Sequence, residues 1–257
     1  MPMKNLKKVI VIPARLDSSR LPGKPLRKIL GIPLVEHIYR RCSLSSINDI
    51  YIATPDIEIK HTVEEFGGKT IMTSPKHKRA CDRIAEACNY INADIIVTVQ
   101  GDEALITPDM IDKAVNALVN DENAVCVNLA TEATLEEAND PNEVKVVFSS
   151  EEYALYFSRA PIPTNLRKEG NIPFFKQVCI IPMSKEFFLK FSELSPTPLE
   201  TSESIDMLRL LEHGYKIKIV KVDKHVKSVD TPNDLKIVEK LMLKDPIYPR
   251  YANLRIK

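Results

Sequence analysis

Short apolar runs and amphipathic segments alternate along the first half of the chain. The apolar run at residues 8–12 predicts a buried strand, and residues 33–43 carry apolar side chains at helical spacing. Further strands are predicted at 49–54, 69–72, 93–99 and 124–129, and further helices at 56–66, 81–91 and 108–119. This alternation favours an α/β fold with a doubly wound, mostly parallel sheet and right-handed crossovers.

The pattern changes after about residue 130. Strand-like segments at 143–149 and 152–158 follow each other without a helix, and a third is predicted at 175–181. We therefore expect a small mixed or antiparallel insertion at about 130–185. Beyond it the periodicity predicts a long helix at 198–213, a strand at 216–222 and a helix at 231–243, whereas the tail 245–257 has no periodicity. Since no stretch resembles a linker or a repeat, we expect a single domain over residues 1–257.

The composition is that of an ordinary globular protein, with 44% apolar and 28% charged residues. A formal net charge of +1 gives no reason to expect nucleic acid or a membrane surface as a partner. No apolar run approaches the ~18 residues of a membrane span. The five cysteines are scattered and none forms a C-x-x-C pair, which favours reduced thiols and a cytoplasmic protein.

A basic loop follows the first predicted strand directly. Its cations are Arg15, Arg20 and Lys24, and the hydroxyls of Ser18 and Ser19 lie between them. Charge-assisted donors combined with free backbone N–H groups are the chemistry of a polyphosphate cradle. A solvated surface loop would explain each cation singly, so the prediction depends on their clustering.

The loop does not fit the Walker pattern G-x-x-x-x-G-K-[ST]. Ser18 stands where that pattern has its first glycine, and Pro25 follows the pair Gly23-Lys24 and offers no hydroxyl for Mg²⁺. The sequence therefore predicts a phosphate-binding loop of another kind.

Asp102 is a candidate for binding a metal, and Asp230 is an aspartate that its local sequence leaves unexplained. Asp102 follows the apolar strand 93–99 and a glycine, a position that suits a Mg²⁺ bridging phosphates, although a solvated turn would also explain it. Asp230 precedes a helix-capping pattern in which Thr231 is the N-cap and Asp234 the N3 residue. Capping explains Thr231 and Asp234, but it does not explain Asp230.

Residues 12–26 resemble the N-terminal signature of the sugar nucleotidyltransferases, and in particular of the 3-deoxy-manno-octulosonate (Kdo) cytidylyltransferases, or CMP-Kdo synthetases. In that family I-P-A-R-x-x-S-S-R-[LF]-P-G-K-P-L holds the triphosphate of CTP. Residues 153–163 are similar to its Y-A-L-Y-F-S-R-A-x-I-P, and residues 140–147 to its D-P-N-x-V-K-V-V. Residues 199–209 follow its L-E-x-x-E-x-L-E-x-L-R, with Asp206 in place of the last Glu. The resemblance extends from residue 8 to about 243.

The resemblance implies a Mg²⁺-dependent cytidylyltransferase that couples CTP to a Kdo-like sugar acid and releases pyrophosphate, for surface polysaccharide or lipopolysaccharide synthesis. It implies catalytic roles for Arg15, Lys24, Asp102 and Asp230, with the two aspartates as the metal ligands. The implied nucleotide-binding residues are Ala14, Arg15, Ser18, Ser19, Arg20, Gly23, Lys24, Arg79, Asp82 and Gln100. The implied sugar-binding residues are Gln100, Arg159, Gln177 and Glu203. The family forms dimers, so a homodimer is expected, with the insertion as the contact.

The chain departs from the family pattern in three segments. The base-side S-G-T-[DE]-R appears as residues 79–83 with Arg, Ala and Cys in the first three places, and Q-G-D-E-P ends in Ala104. The sugar-side H-[LV]-G-I-Y-[AG]-Y appears at 177–183, where Gln177 replaces the His and the aromatic residues are gone. These changes favour an acceptor other than plain Kdo, such as amino-Kdo, another ulosonic acid or a small phosphonate.

A protein of another class would also keep a phosphate loop, namely a non-catalytic nucleotide-sugar binding protein. Lys24, Asp102 and Asp230 argue against it, because a binder has little use for two metal carboxylates.

Overall fold

The computed structural model of the chain describes residues 6–77, 79–164, 172–224 and 226–252. These residues form two compact units. The first contains the described residues up to Asp112 and from Val226 onward, and the second contains Lys113 to Lys224. The expectation of a single domain over residues 1–257 stays a prediction.

Strands and helices alternate through most of the described residues, as the apolar pattern predicts. The strands are β1 (Lys8–Pro13), β2 (Lys28–Ile29), β3 (Ile32–Pro33), β4 (Ile50–Thr54), β5 (Thr70–Met72), β6 (Ile95–Val99), β7 (Cys126–Ala133), β8 (Lys145–Phe148), β9 (Ala154–Ser158), β10 (Phe174–Val178), β11 (Ile180–Ser184) and β12 (Ile217–Lys221). The α-helices are α1 (Leu34–Cys42), α2 (Ile57–Glu65), α3 (Ala80–Cys88), α4 (Pro108–Asn120), α5 (Leu135–Asn139), α6 (Lys185–Glu193), α7 (Pro198–Glu203), α8 (Asp206–Glu212), α9 (Pro232–Met242) and α10 (Pro249–Ala252). Within the described ranges, no helix has the length and apolar character needed to cross a membrane.

The first unit is built on a parallel sheet with the strand order β5-β4-β1-β6. β1 lies between β4 and β6 and pairs with both in parallel. Its residues Val9 to Ile12 are fully buried, which explains why this strand is a continuous apolar run and does not alternate. Helix α3 packs on β1 and helix α2 on β4. The α/β fold predicted from the alternation is confirmed.

Three segments that are distant in sequence meet at the carboxyl edge of this sheet. Because β1 and β6 are parallel neighbours, the loop after β1 and the turn after β6 leave the sheet side by side. The backbone N–H of Val229 donates to the carbonyl oxygen of Asp102 at 3.0 Å, which joins the segment before α9 to the same edge. In open parallel sheets this edge is where ligands bind.

The second unit is organised around β7. This strand pairs antiparallel with β10 and β11 and parallel with β12. β8 pairs antiparallel with both β9 and β10. The mixed or antiparallel insertion predicted at about 130–185 is confirmed, and β12 adds a parallel strand to it.

The single helix predicted at 198–213 is wrong, because the segment forms two helices, α7 and α8. Ser204, which ends α7, has a left-handed backbone with φ of 54°. The guanidinium of Arg159 donates to the carbonyl oxygens of Glu203 at 2.6 Å and Ser204 at 3.3 Å. Arg159, which is 45 positions before Ser204, thus satisfies backbone carbonyl groups at the end of α7. The hydrophobic periodicity of the segment gives no information about this contact.

The single strand predicted at 175–181 is also wrong, since β10 and β11 are separate strands that divide at Cys179. Both pair with β7, with Val178 opposite Leu129 and Met183 opposite Cys126. The interruption leaves the apolar run unbroken, so the hydrophobic pattern could not reveal it.

The tail 245–257, whose sequence has no periodicity, contains the short helix α10; residues 253–257 lie outside the described residues. Tyr251 in this helix is fully buried. Its hydroxyl lies 2.8 Å from Nδ1 of His37 and accepts from Nε of Arg41 at 3.2 Å. Polar contacts to α1 therefore hold the helix in place, which explains why it has no amphipathic pattern.

Candidate active site

The basic loop between β1 and a short 3₁₀ helix at Lys24–Leu26 is shaped by its own backbone. The N–H of Gly23 donates to the carbonyl oxygen of Leu16 at 3.1 Å, and that of Lys24 to Leu21 at 3.0 Å. Gly23 has φ of 67°, a left-handed conformation that glycine adopts without steric cost. Leu21 is buried and anchors the loop. The turn fixes the backbone from which the Lys24 side chain starts.

Lys24 lies between the two predicted metal carboxylates. Its Nζ donates to Oδ2 of Asp102 at 2.7 Å and to Oδ1 of Asp230 at 3.1 Å. Nη2 of Arg20 donates to the same oxygen of Asp230 at 3.0 Å. The side chain of Lys24 is 14% exposed, whereas that of Arg20 is 48% exposed. The structure thus brings together three residues predicted to be catalytic, which are separated in the chain by up to 206 positions.

The protonated form of Lys24 is stabilised by the two neighbouring carboxylates. Burial by itself disfavours the ammonium form and would lower the pKa of Lys24. The attraction and hydrogen bonds of Asp102 and Asp230 outweigh burial, so the pKa of Lys24 is raised above its ordinary value. Lys24 is therefore a cation throughout the neutral pH range.

Gly101 allows the turn after β6 to pass close to β1. A Cβ atom built on Gly101 would lie 2.5 Å from the carbonyl oxygen of Pro13, closer than real Cβ contacts. Pro13 is the last residue of β1 and pairs with Ala53 of β4, which restricts the movement of its backbone. The absence of a side chain at Gly101 is therefore a condition for placing Asp102 beside Lys24.

Replacing Gly101 with Ala should lower kcat/KM by about 10²-fold, because a displacement of about 1 Å at a reacting group costs that much. Steady-state kinetics of the purified variant would measure the effect. Gly67→Ala is the matched control. Gly67 has φ of 80° but nothing within 4 Å of an added Cβ, so this variant should lose stability and keep its turnover. A Gly101→Ala enzyme with unchanged kcat/KM would show that the close approach to Pro13 has no part in positioning Asp102.

Asp230 is positioned by the N-terminus of α9. The carboxylate of Asp234 accepts from the backbone N–H groups of Asp230 at 3.2 Å and Thr231 at 2.8 Å. The capping box predicted for Thr231 and Asp234 is present. Burial disfavours the Asp234 carboxylate, but hydrogen bonds from Thr231 and the charge of Lys227 outweigh it and lower the pKa of Asp234. The capping box of α9 therefore also holds the backbone of Asp230, the residue before the N-cap, and so helps to position its carboxylate in the site.

One pocket in the first unit contains most of the predicted nucleotide-binding residues. The described residues that line it are Pro13, Ala14, Arg15, Asp17, Ser18, Ser19, Arg20, Lys24, Pro25, Arg79, Ala80, Arg83, Gln100, Gly101, Asp102 and Asp230. Of the predicted residues, Gly23 and Asp82 are not among these lining residues. Gly23 contributes its backbone conformation, and a carboxylate oxygen of Asp82 accepts a weak hydrogen bond from the thiol of Cys81.

Arg83 is a lining residue that the sequence analysis did not single out. It is almost fully buried, and it donates to Thr73 Oγ1 at 2.6 Å and to the carbonyl oxygen of His77 at 3.2 Å. Burial and the nearby charge of Arg15 lower the pKa of Arg83. Arg79 and Arg83 are four residues apart at the start of α3, and this helical spacing was the available signal that both face one site.

The predicted sugar-side residues of the second unit are engaged in tertiary contacts. The carboxylate of Glu203 accepts from Ser158 Oγ and from the backbone N–H of Arg159, both at 2.8 Å. Nη1 of Arg159 donates to the carbonyl oxygen of Pro141 at 2.8 Å, in addition to its contacts at the end of α7. The side-chain amide of Gln177 donates to Oδ1 of Asn128. Arg159 and Glu203 are therefore in direct contact and rigidly held, and Gln100 belongs to the pocket of the first unit.

Asp102 and Asp230 fit a divalent cation with oxygen ligands. One nitrogen contacts an oxygen atom of each carboxylate, so a small cation can lie between them. Within the described ranges, no group of three or more His, Cys, Asp or Glu residues could hold a metal. Mg²⁺ commonly takes one or two protein carboxylates and completes its octahedron with phosphate oxygens and water. The pair of aspartates suits such an ion.

Residues 9–219 match the protein family described as Cytidylyltransferase. The chain is 42% identical over 250 residues to the 3-deoxy-manno-octulosonate cytidylyltransferase of Geotalea uraniireducens, covering 92% of this chain and 99% of that protein. It is 41% identical over 239 residues to the 8-amino-3,8-dideoxy-manno-octulosonate cytidylyltransferase of Shewanella pealeana, covering 90% of this chain and 96% of that protein.

The fold is also similar to solved structures. CMP:2-keto-3-deoxy-manno-octonic acid synthetase complexed with CTP superposes with a TM-score of 0.87 at 37% identity, covering 93% of this chain and 99% of that one. A glucose-1-phosphate thymidylyltransferase from Bacillus anthracis superposes with a TM-score of 0.67 at 16% identity, covering 91% and 94%. At that identity the second similarity concerns the fold alone.

Proposed function

Because the chain belongs to the cytidylyltransferase family, we propose that it transfers CMP from CTP to a Kdo-like 3-deoxy-ulosonic acid. Two relatives support this acceptor, since they are named as cytidylyltransferases of 3-deoxy-manno-octulosonate and of 8-amino-3,8-dideoxy-manno-octulosonate. The hydroxyl oxygen of the acceptor attacks the α-phosphorus of CTP. The bond from that phosphorus to the bridging oxygen breaks, pyrophosphate leaves, and the hydroxyl proton passes to solvent. The chain is an enzyme of the nucleotidyltransferase class.

This proposal depends on one observation, which is that Lys24 at the end of the basic loop donates hydrogen bonds to both Asp102 and Asp230. Cations that bind a triphosphate and carboxylates that bind a metal are the two parts required for nucleotidyl transfer. Catalysis of this reaction depends on positioning and on electrostatic stabilisation of the leaving group. Both parts line one pocket.

Arg15 and Lys24 are proposed to neutralise the charge that develops on the β- and γ-phosphates as pyrophosphate leaves. Arg offers a planar fork that binds phosphate oxygens in pairs, whereas Lys acts as a mobile point charge. Ser18, Ser19 and the loop amides supply further donors of the kind that fix a triphosphate in a single orientation. Arg79 is proposed to contribute on the base side, together with Arg83, which already holds the 73–77 segment.

Mg²⁺ is the proposed cofactor: Asp102 and Asp230 would hold it, and it would reduce the negative charge of the α-phosphate and favour ionisation of the acceptor hydroxyl. The remaining ligands would come from phosphate oxygens and water. The carboxylates themselves are oriented by the turn at Gly101 and by the cap at Asp234.

The acceptor is proposed to be an acid because Arg159 is a fixed cation. Its guanidinium is held by the carbonyl oxygens of Pro141, Glu203 and Ser204, so little rotamer freedom is lost when it meets a carboxylate. Gln177, which stands in place of the family's His, carries no charge and donates to Asn128. An acid whose far end differs from that of Kdo is therefore the preferred acceptor. The 8-amino relative, named for an acid altered at position 8, supports this second candidate.

Pyrophosphate release with CTP, Mg²⁺ and a panel of acids tests the proposal. We expect turnover with an ulosonic acid, and a kcat/KM for plain Kdo below the ordinary enzyme range of ~10⁴–10⁸ M⁻¹s⁻¹. The 8-amino acid should be the better substrate, and Gln177→His should gain activity with Kdo. A kcat/KM for Kdo inside that range would contradict the acceptor preference. No turnover with any acid would favour a non-catalytic nucleotide-sugar binding protein.

We also propose that the enzyme works in the cytoplasm as a homodimer. The five cysteines are scattered along the sequence and none forms a C-x-x-C pair, in accord with a reducing compartment. The dimer contact is proposed to lie in the insertion at 130–185, as the family resemblance implies. A CMP-linked sugar acid is an activated glycosyl donor, so the next reaction is a glycosyl transfer, proposed to build surface polysaccharide or lipopolysaccharide.

A further inference from the structure

The ammonium group of Lys24 lies where a cation held by both aspartates has to lie. It is within 3.1 Å of one oxygen atom from each carboxylate, Oδ2 of Asp102 and Oδ1 of Asp230. The two carboxylate side chains are 26% and 17% exposed, so the group they form is sheltered but open to the pocket. Any metal ion that takes an oxygen from each carboxylate must come close to this nitrogen.

A divalent cation and the ammonium group compete for the two carboxylates at such short range. Two cations that both lie within about 3 Å of the same oxygen atoms repel each other strongly, and this site is partly shielded from water. Arg20 already supplies a second cation to Asp230, which lowers the remaining negative charge of the pair. The charge balance therefore favours Lys24 over an incoming metal until another anion attracts the ammonium away.

We propose that Lys24 is an internal counter-ion that competes with the metal for Asp102 and Asp230, and that the triphosphate of the nucleotide removes this competition by drawing Lys24 onto its phosphates. The inference rests on the metal site of the proposed function. The proposed competition implies that the divalent cation binds weakly to the protein alone and that bound nucleotide promotes its binding. By thermodynamic linkage the metal strengthens nucleotide binding by the same factor.

The local structure allows Lys24 to change partners. Lys24 is the first residue of the 3₁₀ helix and directly follows the left-handed turn at Gly23. Its ammonium group is at the end of a flexible four-carbon chain, so it can move to another partner while the backbone stays in place. Arg15, Ser18 and Ser19 line the same pocket, so a triphosphate bound by the loop lies within the same group of residues. An Arg at position 24, with its planar fork, would hold two carboxylates more firmly and exchange less easily.

Binding of Mn²⁺ to the full-length protein without nucleotide tests this inference, with free Mn²⁺ measured by electron paramagnetic resonance. Lys24→Met should bind Mn²⁺ at least about tenfold more tightly than the wild-type protein, within the range of roughly 5- to 150-fold that is usual for coupled sites. Mn²⁺ should also raise the melting temperature of Lys24→Met more than that of the wild type. Adding Asp102→Asn to Lys24→Met should abolish the gain, which would show that the ion binds the carboxylates.

Arg20→Met is the matched control, because it removes one positive charge that contacts Asp230. It should tighten Mn²⁺ binding by clearly less than Lys24→Met. Equal gains in the two variants, or wild-type binding as tight as that of Lys24→Met, would overturn the inference while leaving the proposed transferase activity intact. No Mn²⁺ binding in any variant would overturn the inference together with the metal site, and pyrophosphate release would then be tested without Mg²⁺.

Discussion

Asp102→Asn and Asp230→Asn should each lower Mg²⁺-dependent pyrophosphate release by about 10³-fold or more, since a metal's stabilisation of the transition state is worth several kcal/mol. Each carboxylate contacts Lys24 and is proposed to bind the same ion. Loss of one negative charge removes half of the protein's ligand set. An amide of the same size preserves the packing, so the loss should appear in kcat and in the Mg²⁺ concentration required for activity.

Asp17→Asn is the matched control for these variants, because Asp17 lines the same pocket and the substitution makes the same change of charge. It should reduce activity far less. Thermal melting of all three variants would establish that the fold is retained. Near-wild-type turnover of Asp102→Asn or Asp230→Asn with a normal melting curve would mean that the two aspartates do not form a metal clamp.

Lys24→Ala should lose about 10³-fold in kcat/KM for CTP, whereas Arg20→Ala should lose about tenfold, a difference of ~3 kcal/mol in transition-state stabilisation. Lys24 is enclosed by two carboxylates and 14% exposed, so its charge acts in a sheltered environment. Arg20 contacts Asp230 but is 48% exposed, so water and salt screen its effect. Steady-state kinetics with CTP as the varied substrate compare the two variants directly.

Equal losses in Lys24→Ala and Arg20→Ala would mean that the loop works as a diffuse basic patch, and that no single cation in it has a specific place. Raising the ionic strength distinguishes the two cases further. A diffuse patch loses its effect with added salt, whereas the sheltered contact of Lys24 should be much less sensitive.

Segments whose structure follows from their own residues were predicted correctly from the sequence. The buried strand β1 is a continuous apolar run, and α1 is amphipathic over the predicted residues. The cap of α9 was also predicted, because Thr231 and Asp234 satisfy each other within four residues. In each of these cases the contacts that decide the conformation are made within the segment or with a generic apolar core.

Elements held by distant side chains were missed. The break between α7 and α8 depends on Arg159, and the seating of α10 depends on His37 and Arg41, more than 200 positions away. Helix α6 was not predicted, although Ser184 caps it by accepting from the backbone N–H of Phe187. For the break between α7 and α8 and for helix α10, a polar contact from another part of the chain overrides the local pattern. Hydrophobic periodicity contains no information about such contacts.

The candidate site divides in the same way. The sequence by itself indicated which residues have phosphate-binding and metal-binding chemistry, since Arg15, Lys24 and Asp102 can be recognised by residue type and by their position after strands, and Asp230 by the family resemblance. Only the tertiary structure decided that Lys24 lies between Asp102 and Asp230 and that Arg83 joins the pocket. The physical reason is that parallel pairing of β1 with β6 and the Val229–Asp102 hydrogen bond bring remote loops to one edge of the sheet. Residue types specify the chemistry that is available, and long-range pairing specifies which groups act on one another.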